Sequence, residues 1–343
     1  KVKPEMRACM GKGSLPKNIL VVKNRAMGDA IIGLSSIAYL KGTLANPKVT
    51  YLVPQWIFPL FQGVRTAADS YLPLKLNGLR DFFSLFLLLA SKKFDLVVEL
   101  HQRGRTAKFF KIFCFLTRTP YVFHNHNETK RAPAIERDLE CGLKVVKKYF
   151  SEEKLPSFLK FEPRMQVMQT SEEKLFKKQI IFGIVATRKT KMWPIKYYKY
   201  LSDMLLKKDE DLEILVPLSH SEQDQKLEAD FKSLNPSERV KFIKAGLDRL
   251  PYELSGAKLY IGNDTGIKHL CVALGMKTYT FFGPEEPYEW HPYNTEKHKF
   301  FFLENLSCRT RTSHYCGLET CESMICLNQF VPPKVFEEIS KGL

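Results

Sequence analysis

Short apolar segments that alternate with helical patterns constrain this chain more than any other feature. Residues 18–23 form a β-branched run, which a loop joins to the apolar helical pattern of residues 30–40. The runs at 49–53 and 94–100 predict two more strands, and 82–90 predicts a helix between them. Units of this kind place parallel strands in one sheet covered by helices on both faces. The sequence therefore predicts an α/β fold.

The same alternation restarts in the second half of the chain. Residues 179–186 predict a strand and 195–206 a helix, and the strands at 212–217, 240–243, 258–262 and 278–282 follow. A chain of 343 residues is too long for one ordinary core. Two Rossmann-like domains with parallel sheets facing across a cleft are expected. The expected divisions are a polar extension at 1–17, a first domain at 18–160, a linker at 161–178, a second domain at 179–325 and a closing segment with a helix at 326–343.

Charge is distributed unevenly along the chain. The formal net charge is +16, and residues 1–165 contain 28 basic against 13 acidic side chains, whereas residues 166–343 contain 25 against 24. The basic field of the first half attracts nucleic acid, an anionic membrane surface or a phosphorylated substrate. The sign of the charge leaves these three classes open.

Apolar runs and cysteines indicate a cytoplasmic protein. The richest apolar run, residues 82–90, is about half as long as a bilayer span requires. We expect it to be a buried helix, and contact with a membrane beside Lys92 and Lys93 is the alternative. Residues 1–17 lack the apolar region of a secretory signal, and the eight cysteines suit a reducing compartment. Peripheral contact with the cytoplasmic face of the inner membrane is compatible with this location.

The strongest local signal is the segment at 262–269, Gly-Asn-Asp-Thr-Gly-Ile-Lys-His. A strand that runs into a turn and opens a helix collects free backbone N–H groups and the positive end of the helix dipole. Gly266 allows close backbone approach, the Thr265 hydroxyl can donate, and His269 follows one turn later. The segment predicts a phosphate site, and an Asp or Thr N-cap on a packing helix is the alternative.

Two further segments follow predicted strands. Residues 187–194, Thr-Arg-Lys-Thr-Lys-Met-Trp-Pro, place hydroxyls and cations where α/β sheets bind ligands, although a solvated charge run before a helix gives the same pattern. Asp29 sits beside Gly28 at the opening of a helix, where an N-cap is the alternative to a site carboxylate. The spacing lacks the G-x-G-x-x-G fingerprint, which argues against a dehydrogenase.

Taken together, the segments resemble the heptosyltransferase family of bacterial lipopolysaccharide synthesis. The resemblance spans about residues 18–340, and Asp-Thr-Gly-x-x-His followed by Phe-Gly-Pro is its most specific part. It implies a GT-B fold and an inverting transfer of heptose from ADP-heptose to the lipid A-linked inner core. The motifs that carry it lie at 23–29, 95–101, 187–194, 263–269 and 281–284.

The resemblance also implies roles for individual residues. Asp29 would be the catalytic base, while Lys191 would stabilise the charge that grows on the leaving diphosphate. The residues implied in donor binding are Thr187, Lys191, Glu222, Gly246, Leu247, Asp264, Thr265, Gly266 and His269. Cations of the basic half are assigned to acceptor phosphates or carboxylates, with plain surface charge as the alternative. These are His101, Arg103, Arg105, Lys130 and Arg131.

Neither a cofactor nor a catalytic metal is expected. Cys308, Cys316, Cys321 and Cys326 are spaced more widely than the paired C-x-x-C of a zinc ribbon, so their role stays open. The alternatives to heptose transfer are a transferase of another nucleotide sugar such as UDP-N-acetylglucosamine, a catalytically inactive carbohydrate-binding relative and a basic nucleic-acid-binding protein. The nearly neutral second half and the missing nucleic-acid fold signatures argue against the last.

Overall fold

A computed structural model describes residues 14–125, 132–150, 154–168, 178–309, 316 and 321–341. The chain divides into two compact units, unit 1 at Lys1–Gln166 and unit 2 at Val167–Leu343. Each unit is built on a parallel sheet with helices packed against it, so the predicted α/β class is confirmed.

Unit 1 contains a five-stranded parallel sheet. Its strands are β1 (Asn18–Val22), β2 (Lys48–Pro54), β4 (Ser70–Leu74), β5 (Leu96–Gln102) and β6 (Tyr121–Asn125). Two short strands lie outside this sheet, β3 (Val64–Arg65) and β7 (Gln166–Val167), the second of which crosses the boundary between the units. The sheet order is β4-β2-β1-β5-β6, and β3 pairs with β7 separately. The α-helices are Met27–Ile32, Leu34–Thr43, Leu79–Ser91, Gly104–Thr117 and Ala134–Val146, and the 3-10 helices are Phe58–Phe61 and Phe158–Phe161.

The helix after β1 is interrupted at Gly33. The sequence predicts one helix at 30–40, whereas the structure has two that meet at this glycine. A Cβ atom on Gly33 would lie 2.2 Å from the Tyr51 hydroxyl oxygen, which donates to the Ala30 carbonyl at 2.9 Å. The glycine therefore allows β2 and the first helix to pack closely.

The helix Leu79–Ser91 has apolar side chains on its buried face and on its exposed face, so the prediction that 82–90 is buried is wrong for one of its faces. Leu85 and Leu89 are buried in the core of unit 1. Phe83 and Leu87 are 62% and 69% exposed. Apolar residues occupy both faces, and their periodicity therefore cannot distinguish the buried face from the outer one.

Glu99 is an ionisable residue in the core of unit 1. Its side chain lies in β5 with no exposed surface and accepts a hydrogen bond from the Tyr121 hydroxyl. Burial raises the pKa of Glu99 to about 7, because desolvation outweighs the hydrogen bonds that favour the carboxylate. Glu99 therefore changes its charge near neutral pH.

Unit 2 contains a six-stranded parallel sheet. Its strands are β8 (Lys178–Gly183), β9 (Leu212–Pro217), β10 (Val240–Ile243), β11 (Leu259–Asn263), β12 (Lys277–Phe282) and β13 (His298–Phe302). The order is β10-β9-β8-β11-β12-β13, which confirms the predicted strands and adds β13 at one edge. The α-helices are Ile195–Lys208, Glu222–Lys232, Leu250–Leu254, Gly266–Ala273, Pro287–Trp290, Ile325–Asn328 and Pro332–Ser340, and Lys189–Lys191 is a 3-10 turn.

Candidate functional site

A cluster of charged side chains lies at the carboxyl ends of three neighbouring strands in unit 2. Because β8, β11 and β12 are adjacent and parallel, the segments that follow them meet at one edge of the sheet. These segments contain Lys191, Asp264 and Glu285, respectively. Ligands of open parallel sheets bind at this edge. The three segments therefore form the candidate site.

Asn263 joins the loop after β8 to the turn after β11. Its side-chain oxygen accepts hydrogen bonds from the Trp193 backbone nitrogen at 2.9 Å and from the Tyr198 hydroxyl at 3.2 Å. Its amide nitrogen donates to the Ile184 carbonyl at 2.8 Å. One fully buried side chain thus holds both ends of the loop at 184–193.

Gly283 allows the same loop to approach the segment after β12. A Cβ atom at this position would lie 2.8 Å from the Thr190 carbonyl oxygen. Arg309 donates to the carbonyls of Gly283 and Pro284 at 3.0 and 3.2 Å. The block at 281–284 therefore contributes close backbone packing beside the site.

Three cations and two carboxylates form the cluster. Lys191 Nζ lies 3.3 Å from an Asp264 oxygen and 3.6 Å from a Glu285 oxygen. Arg188 pairs with Glu285, and Lys268 pairs with Asp264. The Lys191 side chain is 15% exposed, so solvent and ligands can reach it. One cation is in excess, which suits an anionic ligand.

Lys268 holds Asp264 in place from the buried side of the cluster. Its fully buried ammonium also donates to the Trp290 carbonyl at 2.6 Å and lies 5.0 Å from the centre of the Phe282 ring. Burial alone would raise the pKa of Asp264, but Lys268 and Lys191 hold it well below the usual range. Sequence analysis assigned Lys268 no role, although the spacing of four residues from Asp264 on a helix start is a detectable signal.

His269 lies one turn into the helix Gly266–Ala273. Its Nδ1 shares a hydrogen bond with the Tyr293 hydroxyl. Burial and the positive charge of Lys268 hold the pKa of His269 well below its usual value. The imidazole is therefore neutral at pH 7, and it contributes a directed hydrogen bond rather than a charge.

The start of this helix presents backbone donors. Thr265 is the N-cap residue by position, but its side chain makes no capping hydrogen bond. The Asp264 carboxylate is engaged by two lysines instead. Thr265 therefore occupies the N-cap position without capping the helix, and the N–H groups of the first turn stay available to a ligand.

The remaining donor-binding candidates lie along the same edge of the sheet. Thr187 and Glu222 are exposed, at the loop after β8 and at the start of the helix Glu222–Lys232. Gln223 donates to the Ala186 carbonyl at 3.0 Å, which ties these two elements together. Gly246 and Leu247 lie in the loop after β10. Thr187 follows β8, Glu222 follows its neighbour β9, and Gly246 and Leu247 follow β10, which pairs with β9.

In unit 1, Asp29 lies in the first turn of the helix Met27–Ile32. The N-cap position belongs to Ala26, so the N-cap interpretation of Asp29 is wrong. The carboxylate is 15% exposed and lies 4.0 Å from Arg25 Nε. Asp29 therefore sits at the carboxyl end of β1 with an oxygen available to solvent.

Lys23 and Asp138 form a buried ion pair next to this turn. Lys23 Nζ lies 2.5 Å from an Asp138 oxygen, and the two side chains are 5% and 2% exposed. Burial raises the pKa of Asp138, and Asp29 adds to the effect, although Lys23 opposes it. Because the partners are 115 residues apart, no local sequence signal could have found this pair.

The acceptor candidates are grouped less closely than the donor candidates. His101 is buried at the end of β5, while Arg103 and Arg105 are exposed at the start of the helix Gly104–Thr117. Arg105 donates to the Leu76 carbonyl at 3.2 Å. β5 pairs directly with β1, so these residues and Asp29 follow neighbouring strands. The other two acceptor candidates, Lys130 and Arg131, lie outside the described residues.

The four C-terminal cysteines share one location. Cys308, Cys316, Cys321 and Cys326 line a single cavity. In the part of the chain that the structure describes, no trio of His, Cys, Asp or Glu has the geometry to hold a metal ion. None of the described helices combines the length and apolar character needed to cross a bilayer.

Known proteins resemble the chain over most of its length. Residues 84–319 match the model of glycosyltransferase family 9 (heptosyltransferase). Lipooligosaccharide heptosyltransferase 2 of Campylobacter jejuni is 24% identical over 252 residues, which cover 71% of this chain and 75% of the relative. Escherichia coli ADP-heptose LPS heptosyltransferase II has a TM-score of 0.72 at 17% identity, covering 94% of this chain and 98% of that one. An E. coli heptosyltransferase solved with ADP has a TM-score of 0.69 at 17% identity, covering 95% and 100%.

Proposed function

The chain belongs to glycosyltransferase family 9 (heptosyltransferase), and on that premise we propose that it transfers a heptose from ADP-heptose to the lipid A-linked inner core of lipopolysaccharide. It is a glycosyltransferase, and its solved neighbours are GT-B heptosyltransferases, which confirms the predicted fold class. The ADP-heptose donor and the inner-core acceptor are the proposed parts.

The arrangement around Lys191 supports a diphosphate more strongly than any other observation. An ammonium held between two carboxylates lies at the edge where the uncapped helix Gly266–Ala273 begins. A phosphate that enters there meets the ammonium, backbone N–H groups and the neutral imidazole of His269. The one excess cation of the cluster favours an anionic ligand, and the helix N–H groups supply further positive potential.

The proposed reaction breaks the bond between the anomeric carbon of the heptose and the β-phosphate oxygen of the donor. Negative charge grows on the departing ADP, and Lys191 with the N–H groups near Gly266 stabilises it. An acceptor hydroxyl forms the new bond from the opposite face and transfers its proton to Asp29. A single displacement of this kind inverts the anomeric configuration.

The acceptor is proposed to bind unit 1 through its basic side chains. Residues 1–165 contain 15 more basic than acidic side chains. Arg103 and Arg105 are exposed, and a guanidinium suits bidentate contact with phosphate or carboxylate. A lipid-linked acceptor would bring the enzyme to the cytoplasmic face of the inner membrane, where we propose that it works.

Thermal unfolding with ADP, UDP and GDP tests the donor assignment. A nucleotide at 100 times its dissociation constant should stabilise the protein by about 2.7 kcal/mol, and ADP should give the largest shift. Lys189→Ala is the matched control for Lys191→Ala, since Lys189 is an exposed lysine of the same 3-10 turn. The shift should shrink only for Lys191→Ala.

Other outcomes have distinct meanings. A larger shift with UDP would contradict the ADP donor and favour a transferase of another nucleotide sugar. If no nucleotide stabilises the protein, the diphosphate site itself is wrong.

A further inference from the structure

Two helices of unit 1 lie side by side on one face of its sheet. They are Leu79–Ser91 and Gly104–Thr117. Phe82 packs edge-to-face on Phe109 with 4.9 Å between the ring centres, and Phe86 packs in the same way on Phe113 with 5.3 Å between the ring centres. The inner faces of the two helices therefore belong to the core, and their outer faces lie next to each other.

The outer faces of this pair are strongly apolar. Of the 15 large hydrophobic side chains that are exposed among the described residues, seven belong to these two helices. They are Leu79, Phe83, Leu87, Leu88, Ile112, Phe115 and Leu116. Phe115 is 81% exposed and Leu79 is 79% exposed. Surface hydrophobics normally occur singly, so a cluster of this size indicates a binding surface.

Cations are interspersed with these apolar residues. Apart from Arg105, six exposed Lys and Arg side chains lie in the ranges 79–93 and 104–118. They are Arg80, Lys92, Lys93, Lys108, Lys111 and Arg118. The one acidic residue in these ranges, Asp81, pairs with Lys75 at 3.5 Å. The surface thus requires a partner that is apolar and negatively charged.

We propose that this paired-helix surface, formed by the residues of those two sets, docks on a bilayer that contains anionic lipids. Lys108, Ile112 and Phe115 follow one helical stripe, so the apolar side chains can enter the acyl boundary while the lysine ammonium reaches the headgroups. Nucleic acid would match the cations and leave the apolar side chains exposed. The inference deepens the proposed lipid-linked acceptor by naming the surface that contacts the lipid.

Vesicle co-sedimentation without donor or acceptor tests this surface independently of the proposed reaction. The vesicles contain phosphatidylethanolamine with phosphatidylglycerol, or phosphatidylcholine alone. We expect the full chain to bind the anionic vesicles at least about tenfold more tightly. Phe83→Ser/Phe115→Ser and Lys108→Gln/Lys111→Gln should each weaken that binding by about tenfold or more, whereas Tyr200→Ser in unit 2, 61% exposed, should not.

Folding and association are measured on the same samples. Lys207→Gln/Lys241→Gln, which neutralises two exposed lysines of unit 2, is the charge control and should bind like the wild type. A circular dichroism spectrum like that of the wild type, with cooperative thermal unfolding in the absence of nucleotide, would show that the variants are folded. Equal binding to both vesicle types, no binding, or wild-type binding by the serine variant would overturn the proposal. If the wild type forms dimers, and the serine variant is monomeric but still binds vesicles, the surface would instead be an interface with a second copy of the chain.

Discussion

Replacing Asp29 by Asn distinguishes a catalytic role from a structural one, because the contribution of this carboxylate to the free energy of unfolding has an upper limit that the structure sets. Asp29 is not the N-cap of its helix, so its effects are a charge in the first turn and a pair with Arg25 at 4.0 Å. A first-turn carboxylate contributes about 0.3–1 kcal/mol, and an exposed pair about 0.2–1 kcal/mol. We therefore expect the variant to lose roughly 0.5–2 kcal/mol of unfolding free energy.

The expected loss of activity is larger. Removing a general base lowers kcat by roughly 10² to 10⁴, which corresponds to about 3–5 kcal/mol of barrier. Steady-state kinetics with ADP-heptose and a purified acceptor would measure kcat, and thermal unfolding with and without ADP would measure stability and donor binding.

Asp69→Asn is the matched control for this experiment. Asp69 is also paired with a cation, Lys41, at 2.6 Å, but it precedes β4 at the amino end of the sheet. We expect this variant to lose stability and to keep its kcat. An Asp29→Asn enzyme with wild-type kcat, or an equal loss of kcat in both variants, would refute the assignment of Asp29 as the base.

Three further predictions follow from the ionisable groups. Lys191→Ala should raise the donor KM and lower kcat, because the ammonium meets more charge in the transition state than in the ground state. Unchanged kinetics would show that Lys191 does not contact the diphosphate. Glu99→Gln should stabilise the protein relative to wild type increasingly from pH 5 to 8, by up to about 3 kcal/mol. Because the pKa of Glu99 is higher in the folded protein than in the unfolded chain, the wild type loses unfolding free energy as pH rises through this range, and the Gln variant does not. A difference in unfolding free energy between variant and wild type that stays constant with pH, measured by chemical denaturation, would contradict this. Lys23→Met should cost about 3–5 kcal/mol, because it leaves Asp138 buried without its partner, and a stable variant would show that the site relaxes.

Local patterns in the sequence were sufficient to predict most of the framework. The strand at 258–262 and the turn to the helix at Gly266 are recognisable because an apolar run, polar turn residues and a glycine follow one another. Parallel pairing then places their ends beside the loop after β8. Thr187, Lys191 and Thr265 consequently lie on one edge of the sheet, as the sequence indicated.

Long-range pairings and surface exposure escaped sequence analysis. Glu285 binds Arg188, which is 97 positions away in the chain, and no local sequence pattern around either residue predicts this pair. The close packing at Gly33 involves Tyr51, which lies in β2. Likewise, the outward face of Leu79–Ser91 contains leucine and phenylalanine, as the inward face does. Each of these features is decided by tertiary packing.

The amide of Asn263 has a consequence for the kinetics of donor exchange. Since one buried side chain fixes both ends of the loop at 184–193, the loss of conformational entropy from ordering that loop occurs during folding rather than during binding. Association with the donor then involves little loop rearrangement. We expect the residence time of the nucleotide to depend mainly on the exposed positions around Glu222 and Gly246, where substitutions can alter base preference without disturbing the diphosphate contacts.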